Sequence, residues 1–197
     1  MADNGVNKGR RRFLVGATTV VGAVGAVGVA VPFVASWQPS AKARAAGAPV
    51  QADVSKLEPG QRLTVEWRGK PVWILNRSPE MIERTEAIDP STLADPDSSV
   101  PQQPAYVEGP MRSIKPEIGV LIGICTHLGC SPLFRPEPGS VDVGDWPGGF
   151  FCPCHGSRFD LAGRVFANVP APTNLEVPPY RFDSDVLITV GEDEESA

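Results

Sequence analysis

CTHLGC at residues 125–130 and CPCHGSRFD at residues 152–160 hold all four cysteines and both histidines of a 197-residue chain. Each stretch offers one Cys and one His at short spacing, Cys125-x-His127 and Cys152-x-x-His155. Each also carries a second cysteine, Cys130 and Cys154. In an extended segment residues i and i+2 point the same way, so Cys125 and His127 can face one ligand together. A tight turn does the same for Cys152 and His155.

Three readings of this set compete. The first is a [2Fe–2S] centre in which two His replace two Cys on one iron. The second is a closed, tetrahedral Cys₂His₂ zinc site. The third is a pair of disulfides beside incidental histidines. Zinc leaves the extra cysteine of each loop unexplained. Plain disulfides leave unexplained why both histidines of the chain sit beside them. In an oxidising compartment Cys130 and Cys154 could also join the two loops.

The surroundings read as β structure. IGVLIGI at residues 118–124 is an apolar strand leading into Cys125, and GGFF at residues 148–151 leads into Cys152. RLTVEW and PVWIL flank Arg68-Gly69-Lys70 as a hairpin. RFDLAGRVF folds back near Ala162-Gly163, and the stretch from Val177 to Gly191 closes as a hairpin around Ser184. SPEMIERTE is a short helix, with Ser78 as cap, Pro79 in the first turn and Glu80 near the positive end. Residues 86–117 are acidic, Pro-rich and aperiodic, and read as a long surface excursion. The acidic EDEES from Glu192 reads as a frayed tail. With 20 Gly and 21 Pro, the domain is all-β with irregular loops. The net charge of −5, with no basic stripe beyond the N-terminus, argues against nucleic acid.

The N-terminus divides in three. Residues 1–12 are polar and then basic, with Lys8, Arg10, Arg11 and Arg12. Residues 13–37 run apolar without a charge, enough for one membrane pass of about 20 residues. Trp37 is placed as an interfacial anchor, and the basic flank puts the N-terminus in the cytoplasm. Gly16, Gly22, Gly25 and Gly28 make this a thin helix able to pack closely on others. RRRFL at residues 10–14 resembles the twin-arginine export signal, which a receptor reads. Small-x-small sites at residues 41–43 and 43–45 offer cleavage, but the apolar run is longer than a signal-peptide core, so an uncleaved anchor is expected. Residues 38–50, small and polar, read as a flexible linker or hinge.

CTHLGC and CPCHGS together resemble the two boxes of Rieske iron–sulfur proteins of the bacterial quinol:cytochrome c oxidoreductase (cytochrome bc1) type. WRGKPV at residues 67–72 and VPAPTNLEVPPY at residues 169–180 extend the resemblance. It implies an all-β Rieske domain over residues 51–197. That domain has stacked antiparallel sheets, cluster-binding loops 125–132 and 152–158 at the tip, and a single N-terminal transmembrane helix before it. It implies one [2Fe–2S] cluster, with Cys125 and Cys152 on the inner iron and His127 and His155 on the outer. It implies a Cys130–Cys154 disulfide, a shielding proline loop at residues 168–172, and a Ser157 hydroxyl bonded to a bridging sulfide. One position departs. Phe159 stands where many members have a Tyr that donates to a ligand sulfur, so the potential is expected to be lower than in a Tyr-bearing relative.

Two neutral imidazoles in place of two thiolates remove two negative charges. Such centres reach about −150 to +300 mV, against about −400 mV for plant-type ferredoxins. Each imidazole also keeps a second nitrogen for a proton. The resemblance then implies the function. One electron, with a proton through His155 or His127, comes from ubiquinol and passes to cytochrome c1, contributing to proton translocation. Leu128 is the apolar quinol contact. Cytochrome b, cytochrome c1, quinol and the membrane are the partners, within a dimeric complex. The chain is one subunit of the reductase, not active alone, with its head domain in the periplasm. The competing assignment is the Rieske small subunit of a periplasmic molybdenum oxidoreductase such as arsenite oxidase.

Overall fold

The computed structural model describes Gly5 and residues 7–193. The chain forms two compact units, Met1–Ala45 and Ala46–Ala197.

In the first unit α1 spans Lys8–Ala35, 28 residues with none buried. The side chain of Asn7 caps it by accepting from the Arg10 amide. Arg10, Arg11 and Arg12 therefore lie inside the helix, upstream of where the apolar run begins. At 1.5 Å per residue the helix is about 42 Å long, more than the roughly 30 Å of a hydrocarbon core. It is long and apolar enough to cross a membrane. It stops before Trp37. Pro32 has no amide to continue the ladder, and Ser36 Oγ donates to the Phe33 carbonyl at 2.6 Å. Trp37 lies in the following turn, edge-on to Phe33.

The expected flexible linker, residues 38–50, contains a short helix and the first residue of a strand. Helix α2 covers Ala41–Ala46, and Val50 already belongs to the first strand. Alanine is the best helix former, and Ser40 Oγ accepts from the Ala43 amide at 3.1 Å as a cap. Residues 47–49 alone lie between the two elements.

Among the described residues, the second unit holds nine strands in three antiparallel, three-stranded sheets. β1 (Val50–Asp53) pairs with β9 (Leu187–Val190), which pairs with β8 (Tyr180–Ser184). β2 (Arg62–Trp67), β3 (Lys70–Asn76) and β4 (Ile118–Ile122) form the second sheet. β5 (Leu133–Arg135), β6 (Gly149–Phe151) and β7 (Arg158–Phe159) form the third. Arg68 and Gly69, both at positive φ, make the tight turn between β2 and β3. β4 and the centre of β3 are buried on both faces, which is why they read as continuous apolar runs. The indole of Trp73 stacks on Phe150, centroids 4.9 Å apart, and ties the second sheet to the third. α3 (Pro79–Glu86) is capped by Ser78, which accepts from the Met81 amide, and it buries Met81 and Thr85.

Residues 86–117 differ from a plain surface excursion. Leu93, Val107 and Met111 are buried, and Arg112 is 0% exposed. Asp95 accepts from the Ser99 and Val100 amides, and Leu93 bridges Phe166. The segment satisfies its polar groups through isolated backbone bonds and side chains rather than a continuous strand ladder, so it has no period to read. Most of the acidic tail, from residue 194 on, lies outside the described residues. Glu192 pairs with Arg181 at 3.4 Å.

Candidate metal centre

Cys125 follows β4 and Cys152 follows β6, so two strands of different sheets deliver the two loops. The amide of Cys125 donates to the carbonyl of Cys130 at 2.8 Å, and the Gly129 amide returns to the Cys125 carbonyl at 3.0 Å. In the second loop the amide of Cys152 donates to the Ser157 carbonyl at 2.8 Å, and the Gly156 amide returns to the Cys152 carbonyl at 2.9 Å. The two glycines have φ of 81° and 77°. A Cβ at either would meet open space, so the left-handed backbone, not crowding, requires glycine there.

A disulfide joins Cys130 to Cys154. Cys125 and Cys152 are free thiols, 2% and 1% exposed. The rings of His127 and His155 meet edge to face with centroids 4.7 Å apart. His127 is half-buried and His155 exposed. His127 Nδ1 is buried and has no hydrogen-bond partner within the chain. The sulfurs of Cys130, Cys152 and Cys154 also lie within 4.8 Å of one another. Two of these three are spent in the disulfide and have no thiolate to offer. The donors the two loops offer are therefore two free thiols and two imidazoles, one ring nitrogen of which, His127 Nδ1, is buried without a hydrogen-bond partner in the chain. That set suits an iron–sulfur group with mixed ligands.

Burial pushes the Cys152 thiol up from its ordinary pKa, and the neighbouring Cys125 thiol adds to this. The backbone amides of Cys154 and His155 pull the other way by donating to its sulfur. These two amides are aimed to stabilise negative charge on that sulfur.

The loops share a third support. Thr126 Oγ1 donates to the Thr173 carbonyl at 2.7 Å, and the Ala171 amide donates to Ser157 Oγ at 3.0 Å. Residues 171–173, within the proline-containing segment, thus hold both loops. Ser157 and Phe159 are fully buried. Leu128 is 71% exposed. Thr126, Ala171 and Thr173 lie inside the quoted motifs, but nothing in those motifs shows that they bond the two loops to the proline-containing segment. Their bonds join positions 14 and 47 residues apart in sequence.

Residues 48–180 match the family model described as the Rieske [2Fe-2S] domain. The chain belongs to the Rieske iron–sulfur family. Residues 1–40 match a second model, the ubiquinol–cytochrome c reductase Fe–S subunit TAT signal. The ubiquinol-cytochrome c reductase iron-sulfur subunit of Allochromatium vinosum is 66% identical, over 100% of this chain and 95% of the relative. The subunit of the same name from Bradyrhizobium diazoefficiens is 42% identical over 92% of this chain and 94% of its own. The mitochondrial cytochrome b-c1 complex subunit Rieske of Schizosaccharomyces pombe is 41% identical over 89% of this chain and 68% of its own. A solved chain of a hyperthermophilic respiratory Complex III is 27% identical over 87% of this chain and 96% of its own, with a TM-score of 0.47. As a Rieske protein the chain carries one [2Fe–2S] cluster, which sets aside the zinc and plain-disulfide readings of its cysteines.

Proposed function

We propose that this Rieske chain is the electron-transfer subunit of a bc1-type quinol–cytochrome c reductase. Its full-length similarity to iron–sulfur subunits of that name favours it over the molybdenum-enzyme assignment. The observation that carries the site is a pair of contacts between the loops: the free, buried thiols of Cys125 and Cys152 neighbour each other, and the rings of His127 and His155 meet edge to face. Cys125 and Cys152 hold the buried side of the cluster, and His127 and His155 the outer side. Ser157 accepts from the Ala171 amide, so its own proton is free to donate to the bound group. When bound, the [2Fe–2S] group supplies a one-electron acceptor in the potential range of a quinol.

His127 Nδ1 is buried without a hydrogen-bond partner and is the nitrogen we assign to the cluster, which leaves Nε2 as its proton-carrying nitrogen. His155, the more exposed ring, is the residue that meets the quinol hydroxyl and takes its proton. Leu128, a large apolar side chain left 71% exposed beside His127, offers apolar surface to the quinol ring. The electron passes on to cytochrome c1, with cytochrome b as the neighbour at the quinol. α1 anchors the chain with its basic end in the cytoplasm, and residues 51–197 form the periplasmic head. The hinge narrows to residues 47–49, between α2 and β1.

Quinol-dependent reduction of c-type cytochrome in native membranes tests this reading. It should vanish on deletion of the chain, return with the unaltered chain, and remain depressed with Leu128→Ala despite normal cluster content. Turnover that survives the deletion contradicts the assignment.

A further inference from the structure

Arg112 sits in the irregular segment that the electron-transfer chemistry leaves without a role. It is fully buried, at φ 50°, a backbone conformation rare outside glycine. A buried guanidinium needs its donors matched, and this one is matched at three points. Nε donates to Gln103 Oε1 at 2.8 Å, Nη1 to the Ala162 carbonyl at 3.1 Å, and Nη2 to the Leu175 carbonyl at 2.8 Å. Gln103 is itself held by donating to the Val107 carbonyl at 2.6 Å. Among the described residues no carboxylate forms an ion pair with Arg112. Both terminal nitrogens donate to backbone carbonyls, in two segments that border the cluster loops.

Ala162 lies in the turn after β7, whose remaining carbonyls are also occupied. Arg77 Nε donates to Leu161, and the Leu175 amide donates to Gly163. Leu175 ends the segment that supports both loops through Thr173 and Ala171. Asn174, next to it, accepts from the Val165 amide and donates to the Asp95 carbonyl. The guanidinium of Arg112 therefore bolts the turn to the 171–175 segment. That segment sets the direction of the Ser157 hydroxyl, because the Ala171 amide occupies one side of its oxygen.

We propose that Arg112 is a positioning residue for the iron–sulfur group. It fixes residues 171–175 so that Ser157 directs its proton at the bound cluster, and through this bond it raises the reduction potential. Donation to a cluster sulfur favours the more negative, reduced state. The irregular segment from residue 95 to 113 is the strap that carries the guanidinium into place. The inference rests on Ser157 as a donor to the cluster.

The test is an EPR-monitored redox titration of the full chain in its own membranes. The variants are Arg112→Gln, Ser157→Ala and the two together. Each single variant should lower the reduction equilibrium, by up to about tenfold or 59 mV for one electron. The double variant should fall no further than Ser157→Ala alone. A normal potential in Arg112→Gln, or strictly additive shifts in the double variant, overturns the positioning role. An unshifted Ser157→Ala overturns the prior reading of Ser157, a separate failure. If Arg112→Gln does not retain the cluster, Gln103→Ala takes its place. It leaves the guanidinium in the chain but removes its Nε partner, and the same smaller shift, absent on the Ser157→Ala background, is expected.

Discussion

In residues 125–130 the amide of the first residue donates to the carbonyl of the sixth, and the fifth is a left-handed glycine. Residues 152–157 repeat both features. The roles hung on this shared frame are not repeated. In the first loop His127 is the third residue and the disulfide cysteine the sixth. In the second, the disulfide cysteine is the third, His155 the fourth and Ser157 the sixth. The backbone ring thus holds the first cysteine and the fifth-position glycine, and leaves the others free to exchange jobs. The two histidines enter from different offsets, yet their rings meet at 4.7 Å. The result is unequal exposure, with His127 half-buried and His155 open to a partner. One frame written in two ways gives one sheltered imidazole and one presented one, the pair we propose as cluster ligands.

The strongest way to break this equivalence is at the first position. Cys125→Ser and Cys152→Ser should each abolish the cluster, read as iron and acid-labile sulfide per chain falling to background in both. Retention in either variant means the loops are not equivalent ligand frames. At the next scale, Cys130→Ser and Cys154→Ser should cost the same. The bridge closes a separation of 24 residues, worth about 3 kcal/mol in the chain-entropy account. The double variant should melt like either single one, because all three remove one bond. Thermal unfolding of the three side by side checks this, and a double variant well below both singles contradicts it.

The glycines test the frame itself. Gly129→Ala and Gly156→Ala meet no steric obstacle, so each should lose only the left-handed backbone preference, about 1–2 kcal/mol. Equal losses in denaturant unfolding support a common frame, and a loss at one position only would break it. The smallest effect sharpens the asymmetry. Phe159 belongs to the second loop's exit strand and is fully buried. Phe159→Tyr should raise the midpoint potential by the worth of one hydrogen bond, about 1 kcal/mol. Voltammetry with an unchanged midpoint means the hydroxyl does not reach a ligand sulfur.

Much of this was readable before any coordinates. The β2–β3 hairpin carries its own turn chemistry in Arg68-Gly69, and α3 carries its own cap in Ser78. The cysteine and histidine spacings pointed to both loops, and their common Cys-x-x-x-Gly core was a visible trace of the shared frame. Two kinds of feature were not readable. The Ala-rich stretch around residues 41–46 satisfies a linker composition and a helix propensity equally, and the Ser40 cap decides for the helix. The burial of Arg112 and the bonds of Thr126 and Ala171 depend on carbonyls and hydroxyls distant in sequence. No periodicity encodes a side chain that bonds to someone else's backbone.

The central claim is that both histidines, one from each loop, bind the same cluster. The chain has only two histidines, so labelling every histidine with nitrogen-15 labels His127 and His155 alone. Electron–nuclear double resonance on the reduced cluster in such a chain should show two directly coupled histidine nitrogens. Substitution of His127 or of His155 should remove the Rieske signal. One coupled nitrogen, or none, would contradict the account.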